Sequence, residues 1–237
     1  MQPERSDKLM SIVDHLDELR TRIVRCVIYI TLGVLVGLCL AKTILRILEA
    51  PAGNISFQAL SMEEPILVVM KVAFYAGLIL ASPLVLFEIC RFVAPGLTSK
   101  ERQILMPIVI GSPLLFICGA AVAYFFLLPS MLHFFSAFGQ GVSPINQRLD
   151  FYISLVSTIL LYMGICFQLP IVIFALSFTN IIDSKKLMAV WRYAVFASAV
   201  VAAIITPDPT AVSMLIVMVA LTALYFLSIL LLKLFGK

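Results

Sequence analysis

In a chain of 237 residues, 62% hydrophobic side chains, only 13% charged ones and a mean hydropathy of +1.10 leave more apolar surface than one soluble core can hide. A soluble domain is excluded, and an all-α polytopic membrane protein is expected. The formal net charge of +4 gives no reason to invoke nucleic acid, and where the basic residues stand matters more than their sum.

Residues 1–22 are polar and then amphipathic. Ile12, Leu16, Leu19 and Ile23 recur at helical spacing and leave His15, Glu18 and Arg22 on other faces, which predicts an amphipathic helix lying on a membrane surface. Glu18 and Arg22 are spaced as a favourable i,i+4 pair, and Arg20, Arg22 and Arg25 could serve only to set topology. The strip is too long and too charged for a cleaved signal peptide, so the span that follows it is expected to stay in the mature protein.

The first span is predicted over 23–45. Pro51, Gly53 and Asn54 then break the helix before Met62-Glu63-Glu64-Pro65 opens the second span, 66–89. Lys71 near its start can snorkel to the interface, and Glu88 stands at its far end. A third span is predicted over 104–128, bent at Pro107, Gly111 and Pro113, and a loop over 129–150. The fourth covers 151–178 and contains Gln168 beside Leu169-Pro170.

The last apolar stretch is divided by Thr206-Pro207-Asp208-Pro209 into a hairpin of spans 193–205 and 211–232. The first of these reaches only roughly 20 Å against a hydrocarbon core of roughly 30 Å, so both are expected to be short and shallow or to thin the bilayer. With six spans, one side receives Arg5, Lys8, Arg20, Arg22, Arg25, Arg91, Lys100, Arg102, Lys185, Lys186, Arg192, Lys233 and Lys237. The other receives Lys42, Arg46 and Arg148. The positive-inside rule therefore places both termini in the cytoplasm. The whole of 1–237 reads as one membrane domain.

The five cysteines, Cys26, Cys39, Cys90, Cys118 and Cys166, stand singly with no CxxC spacing, and His15 and His133 do not resemble metal ligands. No metal, cofactor, nucleotide-binding loop or nucleophile constellation is expected, which argues against an enzyme.

Several unusual motifs fall in order along the chain: His15-Leu16-Asp17-Glu18-Leu19-Arg20-Thr21-Arg22, Arg91-Phe92-Val93-Ala94-Pro95-Gly96-Leu97 with Glu101-Arg102, and Ala123-Tyr124-Phe125 before Pro129. With the six-span layout and the short fifth segment, nearly the whole chain resembles the TatC family, the receptor and core subunit of the twin-arginine translocase. The resemblance implies a concave, cupped bundle in the cell (inner, cytoplasmic) membrane that binds signal peptides bearing consecutive arginines. It also implies transport of folded proteins driven by the proton motive force, with TatA and TatB type single-span partners and further TatC copies.

Carried over by motif, Glu101 and Glu18 are the expected receptor carboxylates, Phe92 and Pro95 shape the loop, and Arg20 and Arg22 support the strip. Two arginines invite two acceptors, because a guanidinium fork matches a carboxylate in bidentate fashion where a lysine does not. Thr98-Ser99-Lys100-Glu101 also reads as a capping box, in which Glu101 would satisfy backbone donors. Gln168 departs from the family, whose members often carry an acid there. That leaves an interhelical hydrogen bond beside Gly164, or a polar spot facing the concave side. Asp150 and Asp208 match outer-side acids, with Asp208 alternatively a helix cap, and Tyr124 is either an interface-belt aromatic or a partner contact. The alternative function is a proton-coupled secondary transporter of a small solute, whose usual central ionisable site and inverted repeat are not evident in the sequence.

Overall fold

A computed structural model describes residues 12–53, 57–58, 61–93, 111–139, 147–178, 184–206 and 211–234. The expected capping box, Pro95, Glu101 and Asp208 lie outside these residues.

Apart from short turns and one pair of two-residue strands, the described residues are helical. Helix α1 spans Ile12–Glu49, and a single turn of 3-10 helix, Ala50–Ala52, follows it. The turn ends at Gly53, whose φ of +63° suits a residue without a Cβ. The break at Pro51 and Gly53 is thus where the sequence predicts it. Strand β1, Phe57–Gln58, precedes α2, Glu64–Val93. Next come α3, Ser112–Val122, a π-helical turn, Ala123–Leu127, and α4, Leu128–Gly139. Strand β2, Gln147–Arg148, pairs in parallel with β1 and leads into α5, Leu149–Cys166. The remaining helices are α6, Leu169–Phe178, α7, Ser184–Ala189, α8, Trp191–Ile205, and α9, Ala211–Leu234.

Five stretches among the described residues are helical, long and apolar enough to cross a membrane, and α8 is a shorter apolar helix. The chain is a multi-pass membrane protein. At 15 residues, α8 reaches roughly 22 Å. By contrast α9, with 24 residues, reaches roughly 36 Å and is long enough to span roughly 30 Å of hydrocarbon. The expectation that both members of the hairpin are short therefore fails for the second. No glycine, proline or charged residue interrupts α9 from Ala211 to Leu232, and Ser228 returns its hydroxyl to the Leu224 carbonyl of its own helix at 2.7 Å. The two helices pack against each other and share a hydroxyl pair, Ser198 and Thr222, at 3.0 Å.

Three further boundaries differ from the sequence prediction. The amphipathic strip and the first span form one helix, because neither glycine nor proline lies between Ile12 and Gly33 to end it. The helix expected to stop at Leu128 continues through Pro129 to Gly139. Proline cannot donate to the ladder and its ring crowds the carbonyl four residues back; here the preceding π turn, with Leu128 N–H on the Ala123 carbonyl, provides the local widening. In the fourth span, Pro170 has the opposite effect. The helix breaks at Phe167–Gln168 and restarts as α6, whose first bonds run from Ile171 and Val172 N–H to the Gln168 carbonyl at 3.0 and 3.1 Å.

Close backbone approach sets the register of α1 against α2. A Cβ on Gly33 would lie 2.6 Å from the Gly77 carbonyl oxygen, and one on Gly37 would lie 2.5 Å from that of Ala73. The pairs Gly33/Gly37 and Ala73/Gly77 are small residues four apart on two antiparallel helices. Such stripes let membrane helices gain van der Waals contact where lipid removes the hydrophobic incentive to associate. A second crossing, α3 on α5, places Gly119 against the Met163 carbonyl and Gly164 against the Phe116 ring. The main core lies between these helices, with Val68, Leu127, Met131, Ile153, Val156 and Met163 buried.

Candidate functional site

The α1–α2 register carries charge with it. Glu88, in the last turns of α2, is 2% exposed, and its Oε2 accepts from Arg22 Nη1 of α1 at 2.8 Å. Arg22 also donates through Nε to Glu18 Oε1 at 3.0 Å, and its Nη2 contacts the same oxygen. One guanidinium thus joins two carboxylates. The other Glu88 oxygen has Tyr29 Oη at 3.4 Å and the half-exposed Arg25 at 3.8 Å. An acid this deeply buried is tolerated only when paired, and removing one partner of such a pair costs about 3–5 kcal/mol.

Beside this network an open cleft of about 770 Å³ has Asp17, Glu18, Arg20, Thr21, Arg22, Val24 and Arg25 among its described lining residues. Of the residues expected to form a receptor, Glu18, Arg20 and Arg22 meet here. Phe92 lies one turn beyond Glu88 and is half-buried. Glu88 is the member that the sequence prediction leaves at a tolerable depth and assigns no role. An acid so near the end of an apolar run is a signal, but the sequence does not say which of several arginines it meets.

At the opposite end of the bundle, Asp150 in the first turn of α5 forms an ion pair with Lys71, which also donates to Ser154 Oγ at 3.1 Å. Lys71 therefore reaches a partner across α2 and α5, where snorkelling alone is expected. Glu64, in the first turn of α2, is 2% exposed. Its Oε1 accepts the Asp150 N–H at 3.3 Å and stands 3.9 Å from Arg148 Nε. One helix's acid thus caps another's N-terminus, where the orphan donors and the dipole favour negative charge. Tyr124 and Tyr152 donate to the carbonyls of Ile47 and Leu48, both at 2.8 Å. These are among the last four of α1, which have no partner within the helix. Tyr124 consequently has an internal partner that neither of its expected roles includes.

Gln168 is 9% exposed and sits at the α5–α6 break, where an uninterrupted helix is expected. Its Nε2 donates to the Ser112 carbonyl at 3.1 Å, an interhelical bond of the kind that serves as packing glue. Its Oε1 and Ser112 Oγ have no hydrogen-bond partner among the described residues. No group of three or more His, Cys, Asp or Glu side chains gathers to hold a metal among the described residues.

Comparison with known proteins gives this geometry a context. Residues 14–219 match the family model for TatC, the Sec-independent protein translocase protein. The TatC protein of Synechocystis is 37% identical over 231 residues, covering 98% of this chain and 91% of its own length. The chloroplastic TATC of Pisum sativum is 36% identical over 233 residues, covering 98% of this chain and 66% of the pea protein. A crystal structure of the twin arginine translocase receptor TatC in DDM superposes with a TM-score of 0.80 at 33% identity, over 92% of this chain and 99% of that one. A family match across most of the chain, with relatives and a solved fold that agree, shows that this multi-pass membrane protein belongs to the TatC family of protein translocase components.

Proposed function

We propose that the chain is the signal-receptor and core subunit of a twin-arginine translocase: a six-span, cupped bundle in the cell membrane with both termini cytoplasmic. It binds consecutive arginines at the Arg22 end of α1 through Glu18 and Glu101 and, with TatA and TatB type partners and further copies of itself, moves folded proteins using the proton motive force. Phe92 and Pro95 shape the loop beside the site, and Arg20 lines it. Gln168 with Ser112, and the acids Asp150 and Asp208, belong to structural parts of the same machine. The short α8 marks the side where the partners pack and the bilayer thins.

The observation that carries this reading is that Glu18, on the wall of an open cleft, already accepts a guanidinium edge from Arg22. The local geometry suits arginine and is poorly matched to the compact ammonium of lysine. Exposed ion pairs are worth only about 0–1 kcal/mol, so selectivity requires shielded, charge-assisted bonds of roughly 1.5–3 kcal/mol each. The test is site-specific crosslinking from position 101 to a precursor whose signal carries Arg-Arg or Lys-Lys. Preferential labelling of the Arg-Arg form is expected; equal labelling of both would remove the receptor assignment.

A further inference from the structure

The receptor carboxylate is already occupied. Arg22 commits two nitrogens to Oε1 of Glu18 and its third to Glu88, so a guanidinium arriving from a signal peptide that grips both Glu18 oxygens in bidentate fashion must take one that a resident guanidinium holds. Whether that exchange is easy depends on what remains for Arg22 afterwards. It is 14% exposed, and stripping such a cation of every counter-charge would oppose binding by several powers of ten. Glu88 removes the difficulty: it is buried on α2, its Oε2 meets Arg22 Nη1 at 2.8 Å, and this bond involves no atom of Glu18. Its other oxygen faces Tyr29 and Arg25, so Glu88 is held in place whether or not Arg22 also touches Glu18.

We propose that Glu88 is a positioning residue for signal recognition, holding Arg22 as a resident guanidinium that the signal arginine displaces from Glu18. The exchange keeps every buried charge paired: Arg22 retains Glu88 while Glu18 changes one arginine for another. It also sharpens selectivity, since the entering group must replace a fork of donors and a lysine offers none. The proposal rests on Glu18 being a receptor carboxylate.

The sign of the prediction separates this role from ordinary structural support. With Glu88→Gln, Glu18 becomes the one carboxylate left to Arg22 among the described residues, so Arg22 competes harder for it and the signal binds more weakly. Removing Arg22 as well removes the competitor. The measurement is fluorescence anisotropy of a labelled peptide bearing consecutive arginines and an apolar stretch, titrated with the full chain in detergent. Glu88→Gln is expected to weaken binding about tenfold, and Glu88→Gln with Arg22→Gln to return it to within about threefold of the native value. Arg22→Gln alone, which leaves Glu88 with Arg25 and Tyr29, is expected to bind as tightly as the native chain or tighter, and this arm decides the matter should Glu88→Gln fail to accumulate.

A double variant as weak as Glu88→Gln, or weaker binding by Arg22→Gln alone, overturns the proposal. Glu18→Gln in the same assay separates it from the reading beneath it. Unchanged affinity there removes the receptor role of Glu18 and the proposal together, whereas lost affinity there without rescue in the double variant removes the proposal alone.

Discussion

Arg22 and Glu88 face each other because each lies eleven residues from the same close contact: Arg22 precedes Gly33 by eleven positions, and Glu88 follows Gly77 by eleven. Eleven residues are about three helical turns, so side chains at that distance return to the face where the two backbones touch. The glycines set the register, and the register makes the ion pair. Gly77→Ala is accordingly expected to cost about 1–3 kcal/mol through overpacking against Val34. Thermal unfolding in detergent measures this. If the glycines set the charge register, the variant also diminishes the coupling energy of an Arg22–Glu88 double-mutant cycle; an undiminished coupling would separate the two features.

The two tyrosines at the other end of α1 give a graded prediction. Tyr124→Phe and Tyr152→Phe each leave a carbonyl of the last α1 turn without its donor. Tyr152 is 3% exposed and its bond is buried, so its loss is expected to cost about 1–3 kcal/mol. The more accessible Tyr124 bond should cost about 0.5–1.5 kcal/mol. Chemical-denaturant midpoints of the two variants provide the comparison, and the order Tyr152 above Tyr124 is the point at issue.

Lys71 and Asp150 make a pair in which the partner left behind matters more than the pair itself. Lys71→Met leaves the Asp150 carboxylate without its ion-pair cation and is expected to destabilise the protein by about 1–3 kcal/mol. Adding Asp150→Asn should recover at least half of that loss, because no unpaired charge then remains. The melting temperature of the double variant against each single variant is the measurement.

For Gln168 the geometry favours packing over proton traffic. Gln168→Leu removes the bond to the Ser112 carbonyl and is expected to cost about 1–3 kcal/mol. Transport per assembled complex should stay within about twofold of native, since a bond of this kind sets stability rather than a reaction rate. Abolished transport with normal assembly would instead assign Gln168 a direct part in translocation.

The helical class, the α8–α9 hairpin and the family were legible because they depend on long apolar runs and on ordered local motifs. What was not legible depends on pairings between distant positions. Glu88 and Lys71 each read as acceptable at their own depth; only the packed structure shows that one meets Arg22 and the other Asp150. Prolines misled in both directions. Pro129 reads as a stop, yet the π turn before it lets the helix run on. Pro170 reads as tolerable within a span, yet it accompanies a break that makes Gln168 the start of a new helix. The small-residue stripes of α1 and α2 were visible in the sequence, and reading Gly33 and Gly37 against Ala73 and Gly77 would have given the register, and with it Glu88.

Helix α1 is fastened to its neighbours at three places, by ion pairs at Arg22, by the close backbone approach at Gly33 and Gly37, and by tyrosine hydroxyls at Ile47 and Leu48, while much of its remaining surface is apolar and exposed. Over its 38 residues such a helix is roughly 57 Å long. Mechanically it is a strut pinned to α2 along its middle as well as near Arg22 and Leu48. Because Gly33 and Gly37 hold α1 in register with α2, a pull along the axis at the Arg22 end is shared with α2, and the two helices carry it as one unit toward the end where Tyr124 and Tyr152 grip α1.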